Sequence, residues 1–240
     1  MNLLGIESSG QVASAAVIRD DVLVAEFTLN NGMTHSQTLL PIIDQVLKMA
    51  DMEAKNLDVV AVSKGPGSFT GLRIGSATAK GLGLALDIPL AEVSTLEGMA
   101  YSLKECTGKL LCPIIDSRRQ EVYAGIYESV YENGEYRMNC VMEDSAMTLV
   151  ALIDKLNALG RPCVFNGDAV KAYGKVIEDK LTCDFSFATG RSLMPNAASV
   201  AEAGSAVFRA GKAVNADSHS PEYLRLSQAE RELQENNSRK

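Results

Sequence analysis

The chain has 240 residues, a formal net charge of −7 and 46% hydrophobic residues. That length allows one large domain or two small lobes around a substantial core. The acidic balance argues against a stand-alone binder of nucleic acid, whose affinity rests on phosphate neutralisation. No apolar run reaches the eighteen or more residues of a membrane span, and Met1–Glu7 lacks the basic region and cleavage site of a signal peptide, so a cytoplasmic location with no membrane partner is expected.

In chain order, Leu3–Glu7 is apolar on consecutive positions, as expected of a central strand covered on both faces, and ends in the carboxylate of Glu7. A polar turn, Ser8–Gln11, leads to a second strand, Val12–Ile18. His35 lies in the loop entering a helix, where a capping or packing role is expected. From Leu39 to Ala50, apolar residues (Leu39, Leu40, Ile42, Ile43, Val46, Leu47, Met49, Ala50) cover about half of a helix circumference. That stripe is wider than a surface helix needs for its own core, so its surplus edge can serve a partner. Pro41 makes the helix start near Thr38 or bend.

Leu57–Ser63 predicts a buried strand and Ser76–Leu86 a helix. The string Gly65-Pro-Gly-Ser-Phe-Thr-Gly-Leu-Arg-Ile-Gly75 therefore sits on a strand-to-helix turn. Its N–H groups and helix N-terminus suit an anion, a nucleotide phosphate or the backbone of a partner. No Gly-Lys-Ser/Thr follows, so it is not a Walker loop, and the glycine spacing is not that of a dinucleotide-binding turn. A plainer reading is that Gly65 and Gly67 only supply dihedrals that a side chain forbids. Gly71, Gly75, Ala79 and Gly83 recur at four-residue spacing and make a groove for close approach, either of a partner helix or of the chain's own sheet. Each glycine costs about 1 kcal/mol in a helix interior, which implies a packing reason.

The second half echoes the first. Leu110–Asp116, Ser117–Gln120 and Glu121–Tyr127 repeat strand, polar turn and strand, again with a carboxylate at the end of the first strand. Thr148–Asp154 resembles Thr38–Asp44, and Cys163–Gly167 resembles Val59–Gly65. Duplicated α/β lobes, each a mixed β-sheet flanked by helices with a cleft between them, are the architecture of the actin-like ATPase (ASKHA, ribonuclease H-like) fold. The expected division is 1–101 for the first lobe, 102–226 for the second, and a polar, solvated tail over 227–240. An alanine-rich helix is expected over Ala197–Ala210. Five cysteines (Cys106, Cys112, Cys140, Cys163, Cys183), odd in number and without CxxC spacing, read as small buried hydrophobes.

Three strings then carry a resemblance over nearly the whole chain: Gly65–Gly75, Asp116-Ser-Arg-Arg-Gln-Glu-Val-Tyr123 and Pro221-Glu-Tyr-Leu-Arg225. They resemble the TsaB (YeaZ) family, bacterial proteins needed to make threonylcarbamoyladenosine in tRNA. The related enzyme TsaD carries a His-x-Glu-x-His pair of metal ligands on a helix shortly after the glycine-rich turn. The matching stretch here is Val93–Ala100, with Thr95 and Met99 at the histidine positions and Glu97 between them. Neither a hydroxyl nor a thioether replaces an imidazole on such a metal, so no metal and no catalytic residue is assigned. His219 is expected to be exposed, and with no histidine assignable to a serine no Ser/His/Asp triad is expected.

The resemblance implies a scaffold that partners a TsaD-like enzyme and a TsaE-like ATPase, self-associates as a homodimer when alone, and meets tRNA only within the complex. The expected contact surface is Leu39, Leu40, Ile43, Leu47, Phe69, Thr70, Leu72 and Arg73. The alternative is an actin-like ATPase or small-molecule phosphotransferase, with Glu7, Ser9, Gly65, Gly67, Ser68 and Asp116 lining a nucleotide or anion site. In the scaffold reading no cofactor is required, and weak ATP or ADP binding belongs at the joint with the partner. Glutamate at position 7 departs from the commoner aspartate and would need another rotamer to reach the same point.

Overall fold

The computed structural model describes residues 1–118 and 121–224. The first half runs β1 (Asn2–Glu7), β2 (Ala13–Arg19), β3 (Val22–Leu29), α1 (His35–Met49), β4 (Val59–Gly65), α2 (Phe69–Leu86), β5 (Leu90–Ser94) and α3 (Thr95–Tyr101). The second half repeats that order: β6 (Leu110–Asp116), β7 (Glu121–Glu132), β8 (Glu135–Thr148), α4 (Leu149–Leu159), β9 (Cys163–Asn166), α5 (Ala169–Lys180), β10 (Phe185–Phe187) and α6 (Ala197–Arg209). Each half forms a five-stranded sheet, in the orders β3-β2-β1-β4-β5 and β10-β9-β6-β7-β8. In both, the first strand pairs antiparallel with the second and parallel with the fourth. The duplication read from the sequence is thus present element for element, with β3, β5, β8 and β10 added to it.

Each sheet is covered on both faces, which is why its central strands are apolar at consecutive positions. One face of the first sheet packs on α1 and α2 through Leu4, Ile6, Val60, Leu39, Ile43 and Val46. Its other face packs on α6 through Leu3, Val59, Val93, Val200 and Ala201. Gly204 lets α6 settle on the sheet, because an added Cβ there would meet the Ala61 side chain. α6 therefore returns to the first lobe, although the sequence placed everything from 102 to 226 in the second. The tail over 227–240, with Arg225 and Leu226 before it, lies outside the described residues, as do Arg119 and Gln120 of the Asp116–Tyr123 string.

α3 is the joint. Leu96, Met99 and Ala100 pack with Leu111, Tyr127 and Val164 of the second sheet. Asn166 ties the same place with its side-chain amide, which donates to the Met99 carbonyl at 2.9 Å and to the Ser192 carbonyl at 3.1 Å. Gly167 follows in a left-handed conformation at φ +108°, pressed against the Ile114 carbonyl where no Cβ fits.

α1 starts at His35, three residues before the expected Thr38, with Pro41 inside it. α2 begins within the glycine-rich string, at Phe69, with the Ser68 hydroxyl accepting from the Gly71 N–H. The four small positions of α2 face inward. A Cβ at Gly71 would overlap the Ser8 carbonyl, one at Gly75 the Ser8 hydroxyl, and one at Gly83 the Ala216 side chain at 2.8 Å. Of the two readings of that stripe, packing on the chain's own lobe is the one observed.

Candidate functional site

A cleft of about 750 Å³ opens between the lobes. One wall is Ser9–Gln11 with Pro66–Thr70; the other is Ile115–Arg118 with Tyr123 and Asp168; Glu222–Leu224 stand at its mouth. The glycine string forms its wall by close approach. Gly67 lies against the Ser9 carbonyl, and the Ser68 N–H donates to that carbonyl at 2.6 Å. Gly65, at φ +127°, takes a conformation that favours glycine.

The two strand-end carboxylates are not equivalent. Glu7 is fully buried. Its Oε1 accepts from the Ser9 N–H and hydroxyl, each at 2.5 Å, and its Oε2 accepts from the Ser63 hydroxyl. Burial raises its pKa above the usual carboxylate value, and the hydrogen bonds from Ser63 and Ser9 oppose that shift. Glu7 therefore holds the first turn together from inside and does not face the cleft, which corrects its expected place in a nucleotide site. Ser9 is also buried, its N–H and hydroxyl spent on Glu7. Asp116 does line the cleft. It accepts from the Arg118 N–H at 2.8 Å and the Tyr173 hydroxyl at 3.1 Å, while its own N–H donates to Asp168 at 2.9 Å. Burial lifts the Asp168 carboxyl above its usual range. Of the groups expected to line a nucleotide or anion site, Glu7 is enclosed and the Ser9 and Ser68 N–H groups are engaged by Glu7 and the Ser9 carbonyl, while Ser9, Gly67, Ser68 and Asp116 line the cleft.

Glu7 also gives a pH prediction. A carboxyl raised on folding adds stability that is complete below the unfolded value, near 4.5, and lost as pH rises through its folded value. Glu7→Gln keeps an acceptor for Ser9 and offers an amide donor to Ser63. Thermal melts between about pH 4.5 and 8 should fall less steeply for Glu7→Gln than for the unchanged chain; parallel melting curves would show that Glu7 does not carry this dependence.

Thr95 and Met99 are each 1% exposed. The Thr95 hydroxyl has no partner, and Met99 belongs to the packing between the lobes. Glu97 is mostly enclosed and its carboxyl is raised, first by burial and then by the charge of Asp144. Asp144 bridges the lobes by accepting from Ser94 and, at 2.5 Å, from the Tyr127 hydroxyl. Among the described residues no group of three or more His, Cys, Asp or Glu side chains could hold a metal ion. A metal site of the His-x-Glu-x-His kind does not fit this helix.

The candidate contact residues separate by burial. Leu39, Ile43, Leu47 and Leu72 are core residues, at most 8% exposed, because α1 turns its apolar stripe onto the sheet. They cannot meet a partner, and a Leu47→Asp exchange would report folding rather than docking. Leu40 is 59% exposed; Thr70 and Arg73 are exposed and Phe69 half-buried. The sequence missed an exposed row on α2. Thr70, Arg73, Ala77, Gly81 and Leu84 are exposed along α2 at helical spacing, and Leu84 is 55% exposed. An added Cβ at Gly81 would meet open space. The result is an exposed row, polar at Thr70 and Arg73 and small or apolar from Ala77 to Leu84, and the 70-73-77-81-84 spacing was its available signal.

The segment after α6 seals the end of this face. His219 is 2% exposed, not the surface residue expected. Its Nε2 pairs with the Ser76 hydroxyl at 2.8 Å and its Nδ1 with Glu92 at 2.7 Å. Ser76 is itself buried and does not line the cleft, so this Ser–His–carboxylate row is an anchor without access for a substrate. Beyond it, the Glu222 N–H donates to the Lys64 carbonyl at 2.7 Å, Tyr223 stacks on Phe69 at 4.8 Å, and Arg73 lies over the Phe69 ring at 3.9 Å and donates to the Tyr223 hydroxyl at 3.2 Å.

Comparison with known proteins follows the same lines. Residues 25–233 match the family described as TsaD, tRNA N6-adenosine threonylcarbamoyltransferase. The tRNA threonylcarbamoyladenosine biosynthesis protein TsaB of Bacillus subtilis is 34% identical over 96% of this chain and 96% of its own. The structure of YeaZ from Pseudomonas aeruginosa superposes with a TM-score of 0.77 at 26% identity, covering 93% of this chain and 99% of that one. An inorganic polyphosphate/ATP-glucomannokinase from Arthrobacter shares the fold at TM-score 0.50 and 10% identity, over 87% and 99% of the two chains.

Proposed function

The chain belongs to the TsaB (YeaZ) family, and from that premise we propose that it is the non-catalytic partner of a TsaD enzyme in the threonylcarbamoylation of tRNA. The carrying observation is the fate of the positions where TsaD holds its imidazole pair: Thr95 and Met99 are sealed into the packing between the lobes. A side chain there cannot reach a substrate. Outward lie Leu40 on α1 and Arg73, Ala77, Gly81 and Leu84 along α2, and the small residues of that α2 row suit a helical surface approaching closely.

In this reading the chain adds binding free energy to the active conformation of its partner, which requires contacts that the inactive conformation lacks. It needs no metal or nucleotide of its own; weak ATP or ADP binding and the TsaE-like ATPase belong at the joint of the assembly. The net charge of −7 leaves tRNA contact to the partner. The same outward face serves a homodimer when the partner is absent, and the assembly works in the cytoplasm. Transfer of the threonylcarbamoyl group to tRNA, assayed with the enzyme partner, should drop by about tenfold or more when this chain is omitted. Equal transfer in its absence would overturn the proposal.

A further inference from the structure

After α6 the chain returns to α2 and follows it as a strap, residues 214–224. Its partners on the helix come in descending order, Gly83, Lys80, Ser76, Arg73 and Phe69. The strap therefore runs antiparallel to α2 and ends where the helix begins, at the mouth of the cleft.

The two parts of the strap are held by different physics. The first part is sealed. Val214 and Leu90 pair antiparallel, each N–H donating to the other's carbonyl at 2.8 Å. Ala216 is buried against Gly83, where an added Cβ would lie 2.8 Å from its side chain. The Lys80 ammonium donates to the carbonyls of Asp217 and His219, each at 3.0 Å. His219 closes this part, enclosed and bonded through both ring nitrogens to Ser76 and Glu92.

The last part, residues 222–224, is held from outside. A backbone bond ties the Glu222 N–H to the Lys64 carbonyl. The Lys64–Glu222 ion pair at 2.8 Å has side chains 31% and 51% exposed, where water and salt weaken the attraction. Tyr223, itself exposed, rests on Phe69 and accepts from Arg73. Gly65 makes room for this approach, since a Cβ there would overlap the Glu222 carbonyl. Local opening takes segments with few buried contacts and exposed hydrogen bonds first.

We propose that residues 222–224 form a lid on the cleft that pivots at His219 and opens while residues 214–219 stay docked. Closed, the lid lays Tyr223 on Phe69 and lines the entrance opposite Asp116. Open, it uncovers the Phe69 ring and frees Arg73 from Tyr223. One movement thus widens the cleft mouth and alters the start of the exposed α2 row. The lid is a property of this chain alone and does not depend on the enzyme partner.

Residue-resolved amide hydrogen exchange of the full-length chain tests this. After correction for intrinsic rates, the Glu222 amide should exchange about a hundredfold or more faster than the Val214 amide. Glu222→Lys sets two ammonium groups against each other. It should speed exchange of the residue 222 amide by about fivefold and raise hydroxyl-radical oxidation of Phe69 by about twofold, leaving Val214 unchanged. Lys64→Glu combined with Glu222→Lys should restore both. Equal protection at Glu222 and Val214, or Phe69 oxidation that Glu222→Lys does not change, would overturn the proposal. The comparison of amides in the unchanged chain decides by itself if Glu222→Lys does not fold.

Discussion

Gly167→Ala is expected to destabilise the chain by about 3 kcal/mol or more, because two penalties fall on one position. Gly167 sits at φ +108°, a conformation an alanine rarely adopts. Its Cβ would also overlap the Ile114 carbonyl and lie 2.9 Å from the Met99 side chain. The Ile114 backbone carbonyl cannot retreat, whereas the Met99 contact is with the end of a flexible side chain. Ile114 is a fully buried residue of a central strand, and Met99 is clasped between the lobes. The natural control is Gly134→Ala at the β7–β8 hairpin, where φ is +86° and nothing lies within 4 Å of an added Cβ. That variant should lose only about 1 kcal/mol, the backbone strain alone. Urea unfolding separates the two. Equal losses would mean that the joint between the lobes is looser than its packing indicates.

The second large effect concerns binding. Leu40→Asp combined with Leu84→Asp should leave the melting temperature nearly unchanged and weaken association with the enzyme partner by about a hundredfold or more. Both side chains are more than half exposed in the free chain, at 59% and 55%, so the folded lobe loses little. Each buried leucine side chain contributes about 1.5–3 kcal/mol, and about 2.8 kcal/mol is a hundredfold in dissociation constant. Leu39→Asp is the counter-case one residue away. Leu39 is 1% exposed within the first core, and an unpaired carboxylate there should unfold the lobe. Titration calorimetry on the folded double variant decides; wild-type affinity would remove α1 and α2 from the interface.

These outcomes show where sequence and structure part. The duplication was legible because buried parallel strands leave unbroken apolar runs: Leu3–Ile6 and Leu110–Ile115 declare themselves without neighbours. The edge strand β3 was missed because Val22, Leu23 and Val24 are exposed and give no burial pattern. α6 was assigned to the wrong lobe because its alanines and Gly204 state that a close surface exists, not which one. The contact face was half legible. Periodicity found the apolar arc of α1 but not its orientation, so the inward Leu39, Ile43 and Leu47 were grouped with the outward Leu40. On α2 the small residues were found and given to either side; the structure gives Gly71, Gly75 and Gly83 to the core and leaves Gly81 outside.

Polar burial was the least legible property. Glu7 reads as a cleft ligand at a strand end, yet three donor contacts from Ser9 and Ser63 turn it inward. His219 lies in the polar string Asp217-Ser-His-Ser220, yet Ser76 and Glu92, more than a hundred residues away, enclose it. Such partners are set by tertiary approach and leave no local spacing to read.

The central claim is that this chain supports group transfer by contact and supplies none of the reacting groups. Its most direct test is transfer to tRNA by the complete assembly in which the enzyme partner has lost its two metal-ligating histidines while this chain is unchanged. Transfer should fall to the level without protein. Transfer that persists, and that rises with the amount of this chain added, would contradict the account.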